Sequence, residues 1–290
     1  MERISFHDQI SRNKWKSFFL MLVIFSTIVL FGYLISFAFE PGMFFVIMIT
    51  STTISLFYVW FSYYNSGNIA IRSVGAKEAS RSSHKQFYDL VEGLTIASSL
   101  PMPKLYIMHS EQINAFASGR NPKNAVVCIT TGALDKLDKK ELEGVLAHEL
   151  GHVANYDIKY MTLVVGMVGM IAIASEIFLR SLWFHNSNND NKNWIFIILG
   201  IAMAILAPII VQLVQMAISR KREFSADATA VKFTRYPQGL ISALKKIKNE
   251  TYIEKKVTKA VAPLFFSNPL KNLASTHPPL EQRIKVLENM

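Results

Sequence analysis

The sequence predicts a mainly α-helical integral membrane protein with four transmembrane helices and a water-facing α+β part that contains a small β-sheet. Three observations lead there. Four long apolar runs recur along the chain. A stretch of ordinary charge density with strand-like segments separates the second run from the third. A strongly patterned helix in that stretch carries two histidines one turn apart. Of the 290 residues 51% are hydrophobic, with 20 Phe, above the usual globular share, and the excess lies in the four runs.

The first run, Phe18 to Phe39, has no charged residue and is long enough as a helix, about 33 Å, to cross a bilayer core. Arg12, Lys14 and Lys16 precede it as they would a signal peptide. The run is too long for a signal core, however, and no small-x-small site follows, so it reads as a retained anchor. Glu40, Pro41 and Gly42 form a tight reversal into the second span, 43–64, whose Trp60, Tyr63 and Tyr64 suit an interfacial belt. Residues 1–64 are therefore an N-terminal tail and transmembrane hairpin. Residues 65–158 read as a soluble insert with strand-like runs "KLYIMHS", "NAFASG" and "NAVVCITTG". A second hairpin, 159–219, follows, with spans at 160–178 and 194–219 joined by the polar "HNSNNDNKN". Glu176 and Arg180 stand four apart near the end of the third span, where they can pair on one helix face. Residues 220–290 form a helical C-terminal part.

Lys and Arg concentrate in the N-terminal tail, the insert and the segment beyond 219. By the positive-inside rule both termini and the insert are cytoplasmic, in a multi-pass protein of the cell (inner) membrane. The net charge of +10 is thereby accounted for without nucleic acid, and no nucleic-acid motif is present. A single cysteine, Cys128, excludes a disulfide framework within the chain and reads as a small buried hydrophobe.

The patterned helix spans "LDKKELEGVLAHELGHVANYD". Asp138 and Glu141 make a capping-box arrangement, with Leu137 and Leu142 as a hydrophobic staple. Leu142, Val145, Leu146 and Leu150 form a stripe near 3.6 periodicity. His148 and His152 share one face of this helix and can converge on a single ion. Glu149 projects beside them, placed to take a proton from a water rather than to bind the ion. Two histidines leave a catalytic zinc short of a third protein ligand, with a fourth position kept for water. Glu223, in "SRKREFSADATA", follows the fourth span directly, and a chain that crosses the membrane and returns brings it back near His148 and His152. Asp227, one turn further, can accept an N–H from a ligand histidine and fix its tautomer.

The segments "HELGHVANYD", "SRKREFSADATA", "STHPPLEQRIKVL" and "NAFASG", in this order among the spans, resemble the HtpX-type membrane zinc metallopeptidases, relatives of the prenyl-protein-processing membrane proteases. The resemblance covers nearly the whole chain. It implies a zincin-like (gluzincin) domain and one Zn2+ per chain on His148, His152 and Glu223, with Glu149 as catalytic base. It further implies an endopeptidase of the cytoplasmic membrane face that acts on misfolded or damaged membrane proteins in quality control and stress. Its partners would be unfolded or membrane-protein substrates and the lipid bilayer. His277 and Arg283 are candidates for an oxyanion or substrate contact. Asn114, Ala115, Phe116 and Ala117 read as an edge strand to which an extended substrate could add through its backbone, with Phe116 in the core. A protease for a prenylated peptide is the nearest rival. A scaffold with structural zinc would be richer in cysteine, and a transporter would show inverted repeats. Cleavage preference, clients and oligomeric state are not written in the sequence.

Overall fold

The computed structural model describes residues 6–36, 41–163, 220–250, 265–266 and 278–290. The third and fourth expected spans lie outside these residues apart from 160–163, as do Glu176, Arg180 and His277.

The first two helices, α1 (Phe6–Ser36) and α2 (Phe44–Tyr64), pack as a hairpin around a one-turn reversal at Pro41–Met43. Both hold a stretch long and apolar enough to cross a membrane, Asn13–Leu30 and Phe44–Tyr64. Their surface is inverted relative to a water-soluble bundle. Phe45, Ile49, Phe57 and Trp60 point outward, while Ser17, Ser55 and Ser62 are buried. The Ser55 hydroxyl donates to the Phe25 carbonyl across the pair at 3.0 Å. A Cβ at Gly32 would collide with the side chain of Ser51. Small residues that admit close backbone approach and hydroxyls that bond across helices are what holds helices together when the surroundings are as apolar as the side chains.

Beyond α2 come α3 (Ser66–Ser73), β1 (Lys77–Glu78), α4 (Lys85–Ser98), β2 (Lys104–Met108), β3 (Ala115–Gly119), β4 (Ala125–Thr130) and the short α5 (Thr131–Lys136). The sheet order is β1-β2-β4-β3, with β2 and β4 parallel and both outer pairs antiparallel. β3 is thus an edge strand, yet all five of its residues are buried. Helix α6 (Lys139–Ala154) lies against it. The expected capping box is formed: Asp138 accepts from the Glu141 amide at 2.9 Å, and Glu141 accepts from the Asp138 amide at 2.8 Å. The stripe Leu142, Val145, Leu146 and Leu150 is at most 1% exposed and sits in the main core with Leu105, Val127 and Ile129. Residues 157–163 are again helical.

Three later helices close around α6: α7 (Arg220–Thr234), α8 (Pro237–Lys248) and α9 (Leu280–Leu287). Two glycines permit the approach. A Cβ on Gly151 would stand 3.0 Å from the Ala226 carbonyl of α7, and one on Gly144 would stand 2.6 Å from the Leu240 amide of α8. Close passage of α7 brings its acidic residues within reach of the histidines on α6.

Glu141 also ties α6 to α8, accepting from Ser242 and Lys246, each at 2.6 Å. Burial works against its charge, but Lys246, Ser242 and the Asp138 amide outweigh that and hold its pKa below the usual carboxylate range. A folded-state pKa below the unfolded value contributes stability above about pH 4.3 that is lost as pH falls through the depressed value. Glu141→Gln should therefore cost about 2 kcal/mol at neutral pH, the scale of a buried charge-assisted hydrogen bond. The gap to the parent should narrow in acid. Thermal unfolding of both proteins in detergent at pH 7 and pH 4 measures it, and a pH-independent gap would reject the electrostatic account.

Candidate metal centre

The structure brings together His148 and His152 from α6 and Glu223 from the first turn of α7; one ligand atom from each falls within a group spanning no more than 4.8 Å. The Nε2 atoms of the histidines are 3.1 Å apart. Glu223 oxygens lie 3.7 Å from His148 Nε2 and 3.5 Å from His152 Nε2. Donors about 2.1 Å from one tetrahedral ion stand roughly 3.4 Å from one another, so these separations suit a single ion with little movement.

The other ring nitrogens are already committed. His148 Nδ1 faces Asp227 Oδ1 at 2.8 Å, and His152 Nδ1 faces Asp157 Oδ2 at 3.1 Å. A carboxylate accepts, so each Nδ1 carries the proton and each Nε2 of a neutral ring is left as a bare lone pair. Two such lone pairs facing at 3.1 Å repel unless a proton or a metal ion lies between them; with no ion, the raised pKa of His152 lets its Nε2–H fill that gap. His148 is wholly buried. Burial, reinforced by the Arg283 guanidinium, pushes its pKa down to about 4, so it is a neutral imidazole.

Charge balance points the same way. Glu149, Asp157, Glu223 and Asp227 are at most 3% exposed, and among the described residues Arg222 and Arg283 are the guanidiniums buried with them. Four carboxylates against two guanidiniums leave two negative charges, the complement of one divalent cation. The protein's own groups answer this excess by holding protons. Burial pushes Glu149 up to about 7. Burial opposes a charge on His152, but the Asp157 hydrogen bond and Glu223 overcome it and raise its pKa to about 9. Two histidines and a carboxylate form a nitrogen and oxygen donor set suited to a borderline transition metal.

Glu149 stands beside these donors. Its Oε1 has no hydrogen-bond partner among the described residues, a costly state for a buried oxygen. The backbone N–H of Ala117 on β3 bonds to its carboxylate. It is oriented by the strand and adjacent to the donor cluster, as a proton acceptor should be.

Of the remaining candidates, Asp227 holds His148 as expected. Arg283 is wholly buried and directed at carboxylates: Nε and Nη2 donate to the two Asp227 oxygens at 2.9 and 2.7 Å, and Nη1 is 3.4 Å from Glu223 Oε2. In this structure it stands behind the donors. Asn114 is buried, its Oδ1 accepting from the Ala115 amide at 3.1 Å. Phe116 packs on Phe265 with ring centroids 5.0 Å apart. Ala115 and Ala117 direct their backbone groups away from β4, toward the edge. That edge is partly covered, because the Phe266 amide donates to the Ala115 carbonyl at 2.8 Å and Gly119 donates to Thr162 Oγ1 at 3.3 Å. Sequence reading missed Asp157 and Arg222. Asp157 had a signal, a carboxylate five residues past the second histidine; Arg222 had none beyond adjacency to Glu223.

The sequence profile of peptidase family M48 matches residues 81–290. A protease HtpX homolog of Dictyoglomus thermophilum is 40% identical over 295 residues, covering 100% of this chain and 96% of the relative. Another, from Tropheryma whipplei, is 40% identical over 287 residues and 97% of each chain. Among solved structures, Ste24p of S. mikatae matches 97% of this chain with a TM-score of 0.52 at 19% identity, a likeness of fold; this chain spans 66% of its length.

Proposed function

The chain belongs to peptidase family M48, and from that premise we propose that it is a zinc endopeptidase of the cytoplasmic membrane face, with His148, His152 and Glu223 as ligands of one zinc per chain. It is a membrane-bound metalloprotease. The observation that carries the zinc assignment is the meeting of three donors from two distant helices, with both Nδ1 atoms already pledged to carboxylates. When bound, the metal polarises a water and the substrate carbonyl.

The chain's own residues supply the rest. Glu149 accepts the proton of the attacking water and returns it to the leaving amine. Asp227 and Asp157 hold the two imidazoles in the ligating tautomer. An extended chain could join the outer edge of β3 by displacing the Phe266 amide from the Ala115 carbonyl, with Ala117 beside Glu149 where the scissile bond would lie. Recognition through backbone amides demands little of side chains, which suits unfolded membrane proteins as substrates and a role in quality control. Two further spans at 160–178 and 194–219 would return Glu223 to the side from which α6 departs. The basic tail and insert support the cytoplasmic orientation.

Metal analysis tests the ligand set. The purified protein should hold one zinc per chain, and Glu223→Ala should lose it or bind it at least tenfold more weakly. Full retention by Glu223→Ala would assign the third position to another residue. Cleavage of an unfolded membrane protein, set beside cleavage of a prenylated peptide by the same preparation, decides the substrate class.

A further inference from the structure

We propose that Asn13, on the membrane helix α1, is a positioning residue of the metal centre. The inference rests on the ligand assignment above and extends it to an element that the sequence presents as an anchor only. Asn13 is 4% exposed, at the start of the apolar stretch of α1. Its Nδ2 donates to Asp157 Oδ1 at 2.7 Å and to the Asn155 carbonyl at 3.0 Å. The opposite oxygen of Asp157 accepts from His152 Nδ1 at 3.1 Å. A continuous chain of contacts thus runs from the first membrane helix through one buried carboxylate to a ligand imidazole.

Asp157 opens the helical stretch 157–163 just past the turn that ends α6, and α6 itself holds only His152 relative to its own axis. The angle of the imidazole about that axis is set by where Asp157 Oδ2 sits. That oxygen can be held only if Oδ1 is held as well, since a carboxylate pivots about a single bond. Arg222 Nε is 3.7 Å from Oδ1, near enough to attract but beyond hydrogen-bond length. The short, directional contact to Oδ1 is the amide of Asn13. Docking of α1 on this turn has a second support in Lys14, whose ammonium stands 4.9 Å from the centre of the Tyr156 ring. Tyr156 adopts φ +59°, a left-handed conformation that a bulky residue holds only under external constraint. The metal centre is accordingly assembled from three segments, and one of them is a transmembrane helix.

The test uses the full-length protein in detergent and reads zinc affinity by competition with a chelator. Asn13→Leu keeps the side-chain shape and removes the donor; Asn13→Ala removes both. Loss of the carboxylate that holds a ligating histidine lowers metal affinity roughly 10–100-fold; Asn13 acts through that carboxylate, so both variants should show a smaller loss in the same direction. Ser17→Ala, which breaks another buried bond on α1 from Ser17 Oγ to the Asn13 carbonyl, should bind zinc as the parent does. A packing role predicts a different pattern, with Asn13→Leu near the parent and Asn13→Ala and Ser17→Ala both impaired; that pattern overturns the inference, as does parental affinity in both Asn13 variants. His148→Ala separates this failure from failure of the ligand assignment. If it loses zinc while the Asn13 variants keep it, only the role of Asn13 falls; if it keeps zinc too, the ligand set itself is wrong.

Discussion

Glu149→Gln should abolish peptide hydrolysis and leave one metal ion per chain in place. The two halves of this result have separate causes. Metal retention follows because the three donor atoms belong to His148, His152 and Glu223, and glutamine occupies the same volume without disturbing them. The Ala117 N–H that bonds to the glutamate carboxylate finds the carbonyl oxygen of the amide equally well. Loss of hydrolysis follows because an amide cannot accept a proton and return it. General-base removal of this kind costs on the order of 10²–10⁴ in kcat. The substrate should still bind, so KM should move much less than kcat. Zinc content and cleavage rate measured on one preparation give both readings. Hydrolysis at the parental rate would remove Glu149 from the chemistry. Zinc lost together with activity would make it a ligand.

The parts of this site that were legible in the sequence are those whose logic is local. Asp138 and Glu141 announce the start of α6, the leucine and valine stripe fixes which face is buried, and the spacing of His148 and His152 follows from one helical turn. Glu223 was reachable by one step of topology, since a chain that crosses a membrane and returns re-emerges near its exit. The rest is tertiary. Nothing about Asn13 in a basic, membrane-flanking segment marks it as different from any polar residue before a span; only its place against Asp157 does. Phe266 gives no sign that its amide will cap the Ala115 carbonyl on β3. Strand β1 is two exposed residues, Lys77 and Glu78, paired through backbone alone, and so carries no hydrophobic pattern to read. Arg283 illustrates a limit of residue chemistry. A sequence cannot distinguish a guanidinium that meets substrate from one that neutralises buried carboxylates, because the same charge serves both and only burial decides.

That burial makes Arg283→Met the substitution with the largest expected effect on stability. The guanidinium is wholly enclosed, bonded through two nitrogens to Asp227, 3.4 Å from Glu223 and 4.7 Å from the centre of the Phe266 ring. Methionine fills the volume and removes the charge, so Asp227 and Glu223 remain buried with one fewer counter-charge. Removing one partner of a buried pair costs roughly 3–5 kcal/mol, because the charge left behind is desolvated without compensation. Lysine should not rescue, since a point charge cannot make the two parallel bonds that fit both Asp227 oxygens. The effect has a definite pH dependence. Burial works against the charge of Asp227, but Arg283 and His148 outweigh it and hold the pKa below the ordinary value. The stabilisation is then fully present above about pH 4, where an unfolded aspartate is ionised, and disappears as pH falls through the depressed folded value. The deficit of Arg283→Met should be complete at pH 7 and shrink in acid, where protonated Asp227 no longer needs the partner. Because Asp227 also orients His148, zinc affinity should fall alongside stability. Parental unfolding of Arg283→Met at pH 7 would mean that solvent or a metal already screens these carboxylates, and Arg283 would then be free to act toward substrate.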